Sequence, residues 1–212
     1  MFSTLQAWTI VGIASVIWLA LSIVGAFSGG PTVILALSDL IPFLLIGTSL
    51  FERWGWRWSR LHPHLVGQPV VLGTWQGDLE SFWENPETGK RPPIKTVYLT
   101  IRQTLTTVFV RLLTDESASD QMAGLVKKTE SGNWLISYTY ANTPKLGLRK
   151  SSPVHLGGAA LTIYGEPATR VEGEYWTDRD SNGTLTMTAH VPGIAPGFTE
   201  AQALFSVTMT PA

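Results

Sequence analysis

Two apolar runs fill the start of the chain. Leu5 to Phe27 (LQAWTIVGIASVIWLALSIVGAF) carries no charge, and at about 1.5 Å per residue it is long enough to cross a hydrocarbon core of about 30 Å. Val33 to Phe51 is nearly as long, and the connector Ser28-Gly29-Gly30-Pro31 has the breaker chemistry of a tight turn. The pattern predicts a two-helix transmembrane hairpin. From Gly73 onward the period changes from helical to two. In Ile94 to Gln103, Val97, Leu99 and Ile101 alternate with Tyr98, Thr100 and Arg102, which predicts a strand with one face buried.

Further strands follow at hairpin spacing. Leu105 to Thr114 is β-branched and aromatic, ASDQMAGLVKK runs to a TESGN turn, and Trp134 to Tyr140 (WLISYTY) follows as the next strand. Val154 opens a longer strand whose glycine pair suggests a bend, Val171 opens another, and Asp180-Ser181-Asn182-Gly183 is a strong hairpin turn into TLTMTAHV. ALFSVTMT near the C-terminus reads as a last strand, and no soluble helix stands out. About eight strands in a meander predict an all-β domain that closes into an antiparallel barrel or splits into a sandwich; closure at that number leaves room for one small ligand. The organisation expected is a hairpin with its flank over 1–60, a linker over 61–72 and a barrel over 73–212.

The flank of the second run is ERWGWRWSR, with Arg53, Arg57 and Arg60 interleaved by Trp54, Trp56 and Trp58. That is the composition of an interfacial belt, and its arginines assign this side to the cytoplasm. The expected arrangement is therefore a multi-pass membrane protein with the N-terminus and the barrel cytoplasmic. A cleaved signal peptide is the competing reading of the first run, but it lacks a basic n-region and is longer than a signal core.

Charge and cysteine narrow the function. Fifteen Lys and Arg against sixteen Asp and Glu give a net charge of −1, and the basic residues beyond the flank are scattered, so no polynucleotide partner is expected. With no cysteine, disulfides and thiolate metal sites are excluded. No HExxH, Walker loop or GxSxG elbow occurs, and the four histidines, His62, His64, His155 and His190, are dispersed. Neither an enzyme, a metal centre nor a cofactor is expected. Asp39 is the first charged residue of the chain, and a carboxylate inside an apolar run is a functional candidate, satisfied most simply by self-association.

Polar and aromatic residues recur on single strand faces: Tyr98, Thr100 and Arg102; Tyr138 and Tyr140; Tyr175, Thr177 and Arg179. Tyrosines that stack on bases and arginines that fork onto phosphates make a nucleotide site conceivable, against ordinary solvent-facing strands. Taken in order, GTWQGDLESFWENPETGKRPPI, VYLTIRQTLTTVFVRLLTDESAS, YTYANTP, SPVHLGGAAL and GEYWTDRDSNGTL resemble the two-transmembrane, β-strand-rich effectors of bacterial CBASS anti-phage systems. The resemblance covers the hairpin and essentially the whole β domain. It implies a multi-pass protein of the bacterial inner membrane whose cytoplasmic eight-stranded barrel binds a 3′,3′-linked cyclic dinucleotide, whereupon the membrane segments oligomerise and disrupt the lipid bilayer, so that the infected cell stops growing or dies. The ligand candidates it suggests are Tyr98, Arg102, Thr104, Tyr140, Asn142, Tyr175, Thr177 and Arg179. The competing expectations are a membrane-tethered, lipocalin-like binder of an apolar ligand or lipid, with Val97, Leu99 and Ile101 lining its lumen, and a structural envelope protein with a filled core.

Overall fold

The computed structural model describes residues 13, 17, 20, 24, 44–62 and 64–208. The chain groups into two compact units, one comprising residues up to Val66 with Thr104–Thr106, the other Gly67–Gln103 with Thr107–Ala212.

The second unit contains the barrel. Its strands are β1 (Gly73–Ser81), β2 (Lys95–Gln103), β3 (Val108–Leu113), β4 (Ser117–Lys128), β5 (Trp134–Pro144), β6 (His155–Tyr164), β7 (Arg170–Thr177) and β8 (Asn182–Val191). Each pairs antiparallel with the next, and β8 pairs with β1, so the meander closes. This resolves the choice between barrel and sandwich that periodicity leaves open. Asp180 adopts a positive φ of 54° in the β7–β8 turn, a conformation that Asp tolerates better than most residues. The Thr177 N–H there donates to the Ser181 carbonyl at 2.9 Å.

Alternation along each strand decides what fills the lumen. Val97, Leu99 and Ile101 point inward and join Trp75, Ile136, Leu161, Leu185 and Met187 in one buried cluster. The Trp75 indole N–H donates to the Val71 carbonyl at 2.9 Å, which satisfies its polar atom inside an apolar floor. Gln103 ties the same end: its amide accepts from the Val71 N–H and donates to the Pro69 carbonyl. The β3–β4 seam is short. Backbone pairing there covers Arg111↔Asp120 to Leu113↔Ala118, after which the Gln121 carboxamide takes over, accepting from Val110 N–H and donating to Val108 carbonyl at 2.8 Å each.

The C-terminal segment is a helix, Phe198–Thr208, and not the strand expected from ALFSVTMT. Its apolar residues recur at helical spacing. Phe198, Ala201, Leu204 and Phe205 cover Tyr98, Leu113 and Val191 on the outside of the barrel, with the Tyr98 ring edge-on to Phe198 at 5.2 Å. β-branched and aromatic content at 205–208 suggested a strand, but the buried spacing follows the helix repeat.

The two-helix transmembrane hairpin is not supported. Among the described residues no helix is long and apolar enough to cross a membrane. Residues 44–53 are helical, about 15 Å at the α-helical rise and so half of a hydrocarbon core. Most of Leu5–Phe27, the connector and Val33 to Phe43, with Asp39, lie outside the described residues. In this first unit Trp56 is fully buried while Trp54 and Trp58 are exposed, so the flank is not a uniform belt: His62 Nε2 bonds the Trp56 carbonyl at 2.9 Å. The Glu52 carboxylate accepts hydrogen bonds from the Thr104 and Thr106 hydroxyls, the second at 2.7 Å, and the Leu105 N–H donates to the Glu52 carbonyl. Those hydroxyl bonds hold the Glu52 carboxyl below the usual carboxylate range.

Candidate ligand-binding site

A cavity of about 560 Å³ opens at the end of the barrel where β1, β3, β5 and β7 finish, within the size range of small-molecule sites. Its position follows from composition. On most strands the inward parity is apolar or aromatic and turns polar toward the open end; β4 is polar over much of its length. On β2, Lys95 precedes Val97 in the same parity; on β4 and β5, Ser119 and Asn142 take the place of aliphatic residues; on β7, Tyr175 and Thr177 follow Val171.

Strand register arranges these residues in rows. Ser119 pairs with Asn142 and Asn142 with His155, so three polar side chains lie abreast across β4, β5 and β6. One step deeper, Tyr140 pairs with Gly157 and Gly157 with Thr177. Glycine at 157 is required by close approach, since a Cβ there would lie 2.5 Å from both the Tyr140 hydroxyl and the Trp176 carbonyl oxygen. In that notch the Tyr140 hydroxyl donates to the Trp176 carbonyl at 3.3 Å. Gly183 makes the equivalent space for Tyr175, whose hydroxyl a Cβ would approach to 2.9 Å.

Burial raises the pKa of the Tyr138, Tyr140 and Tyr175 phenols, and for Tyr140 the neighbouring Tyr175 and Asp178 add to it. Neutral phenols at neutral pH offer flat aromatic faces and hydroxyls. The charged groups are unequal. Lys95 Nζ sits 2.6 Å from a Glu116 carboxylate oxygen, whereas the Arg179 guanidinium donates to the Ser152 hydroxyl at 3.2 Å and makes no ion pair among the described residues. Arg179 therefore keeps most of its capacity for an anion. Asn142 Oδ1 is buried with no hydrogen-bond partner among the described residues. Among the described residues no cluster of three His, Cys, Asp or Glu gathers to hold a metal.

The structure brings Tyr140, Asn142, Tyr175, Thr177 and Arg179 together around this cavity. It places the other three sequence candidates elsewhere. Tyr98 points outward beneath the C-terminal helix, Arg102 is exposed on the outer face of β2, and Thr104 bonds Glu52. Lys95, Ser119 and His155 line the cavity too; the signal for them is a polar residue at one end of an otherwise apolar inward parity. The apolar lumen expected of a lipid carrier exists, but Trp75 and its neighbours fill it, leaving the polar end open.

Residues 66–189 match the family model described as "Cap15, cyclic dinucleotide receptor domain". The chain belongs to the Cap15 family. A relative from Staphylococcus schleiferi, "CD-NTase-associated protein 15", is 32% identical over 145 residues, which cover 68% of this chain and 72% of that protein. Membership in the Cap15 family supports the CBASS effector resemblance at the level of its receptor domain; it does not extend to two transmembrane spans. The matched span takes in all of β1 to β7 and most of β8, so every cavity residue named above lies in the Cap15 receptor domain.

Proposed function

We propose that the polar end of the barrel binds a cyclic dinucleotide and that occupancy makes the chain a non-enzymatic effector of anti-phage defence. One observation carries this reading: a cavity of about 560 Å³ inside a Cap15 receptor domain, lined by neutral tyrosines, hydroxyls and an arginine that makes no ion pair among the described residues. Tyr140 and Tyr175 supply stacking faces, Thr177 and Ser181 hydroxyls, Arg179 a fork for a phosphate, and Asn142 a base contact. Tyr98, Arg102 and Thr104 fall outside this ligand set because their side chains lie off the lumen.

In this reading the barrel is cytoplasmic, the uncharged stretch before Asp39 acts at the bacterial inner membrane, and copies of the chain self-associate when the ligand is bound. The disrupted bilayer arrests or kills the infected cell. Moving a population from 1:99 to 99:1 requires about 5.5 kcal/mol of differential ligand affinity between the resting and assembled states. Calorimetry on the full chain in mild detergent, against 3′,3′-linked cyclic dinucleotides, tests the receptor step. Saturable heat with one or more of them is expected, and no heat with any refutes it. Dye leakage from anionic vesicles carrying the full chain tests the effector step: leakage is expected only with the ligand that binds, and ligand-independent or absent leakage counts against it.

A further inference from the structure

Lys95 opens β2 in the inward parity of Val97, Leu99 and Ile101 and lines the cavity, and Glu116 in the β3–β4 turn lines it too. The Lys95 ammonium lies 2.6 Å from a Glu116 carboxylate oxygen and 4.0 Å from one of Asp115. The turn that carries these carboxylates is braced. Thr114 Oγ1 accepts from the Glu116 and Ser117 N–H groups at 3.1 and 2.8 Å, and the Lys145 N–H donates to the Glu116 carbonyl at 2.8 Å. Lys95, by contrast, carries its charge on a flexible aliphatic stem. The Lys95, Glu116 and Asp115 side chains are 31%, 54% and 59% exposed, so a broken contact returns the carboxylates to water at little cost. Among the residues lining the cavity, the Lys, Arg, Asp and Glu side chains are Lys95, Arg179 and Glu116, two cations against one carboxylate. A cyclic dinucleotide brings two phosphodiester charges.

We infer that Lys95 is a second phosphate contact of the site and that Glu116 is the anion it exchanges: on binding, the Lys95 ammonium leaves the Glu116 carboxylate for a ligand phosphate. Arg179 follows β7 and Lys95 begins β2, with β8 and β1 between those strands, so the two cations reach one ligand from separate walls of the barrel. Each of its phosphates then meets a cation. Glu116 acts with the opposite sign to Lys95, because it competes for the ammonium and repels the incoming phosphate. This rests on the reading of the cavity as a cyclic dinucleotide site and adds which residue takes the second phosphate and what occupies that residue in the resting chain.

Calorimetry on the full chain in mild detergent, with 3′,3′-cyclic di-AMP, cyclic di-GMP and 3′,3′-cyclic GMP-AMP, tests it. With whichever of these binds the wild-type chain, Lys95→Gln is expected to weaken binding about tenfold or more. Glu116→Gln is expected to tighten it about three- to tenfold, since it frees the ammonium and removes a like charge. In a Lys95→Gln background the same Glu116→Gln change should gain about twofold at most, because the ammonium it would free is gone. A pair that only ties β2 to the turn would make the two single substitutions act alike. Glu116→Gln that lowers affinity or leaves it unchanged overturns the inference, as does a Lys95→Gln protein that binds like wild type. An equal Glu116→Gln gain with and without Lys95 overturns it too. Urea unfolding of each variant reports its fold, and if Lys95→Gln does not fold, the sign of the Glu116→Gln effect decides alone. No heat from any of the three with either wild type or Glu116→Gln removes the receptor reading and this inference with it, whereas heat with wild type and no gain in Glu116→Gln removes the inference only.

Discussion

Gly157→Ala adds one methyl group at a place where the barrel wall has no room for it. The new Cβ would lie 2.5 Å from the Trp176 carbonyl oxygen, part of the β7 backbone, and 2.5 Å from the Tyr140 hydroxyl. Tyr140 must leave its notch and give up its bond to Trp176, and the β7 backbone at Trp176 must shift against its ladder as well. Overpacking a tight site costs about 1–3 kcal/mol, and the lost hydrogen bond adds about 0.5–1.5 kcal/mol. A loss of roughly 2–4 kcal/mol is expected, which at about 2–4 °C per kcal/mol for a chain of this size lowers Tm by roughly 4–16 °C. Urea unfolding followed by near-ultraviolet circular dichroism measures it, with calorimetry reporting weakened ligand binding in the same protein. Stability within about 0.5 kcal/mol of wild type, the ordinary range for an unconstrained surface site, would refute the claim that the glycine notch seats Tyr140.

Trp75→Ala removes the largest side chain of the lumen floor together with its bond to Val71, and a loss of about 3–5 kcal/mol in urea unfolding is expected. Gln121→Ala removes the carboxamide that continues the β3–β4 seam; amide exchange at Val110 should accelerate while exchange at Leu99 stays slow. Burial raises the lumen phenols above their ordinary value of 10.0, so the unfolded chain gives up their protons first as pH rises. Their contribution to stability is intact below pH 10 and falls above it, and Tyr138→Phe should flatten that fall in urea unfolding across alkaline pH. Arg179→Ala should weaken cyclic dinucleotide binding about tenfold and reduce its sensitivity to salt, as expected for loss of one charge-assisted phosphate contact.

The closed meander was legible because strand-like stretches recur at hairpin spacing, with period-two alternation clear in β2, and the turns at Asp180 and in TESGN carry the residues that turns need. Parity alone does not say which face is inside. On β2 the polar face, Tyr98 with Arg102, looks like the ligand side, yet barrel closure points Val97, Leu99 and Ile101 inward and leaves Tyr98 under the C-terminal helix. On β5 and β7 the tyrosines share the inward parity, so Tyr140 and Tyr175 meet in the cavity even though they lie far apart in the chain. What periodicity could not supply was position along the strand: Ser119 and Lys95 look like ordinary polar residues until register sets them at the open end. The C-terminal helix was missed for a different reason. Its last turn is rich in strand formers, and the partner that makes it a helix, the outer face of β2 and β3, is distant in sequence.

Hydrogen exchange on the full chain with and without a saturating 3′,3′-cyclic dinucleotide tests most directly whether the ligand enters the barrel. The account predicts new protection concentrated at Tyr140–Asn142, His155 and Tyr175–Arg179, with the outer face of β2 at Tyr98–Arg102 unchanged. Protection on that outer face with none at the cavity would contradict it.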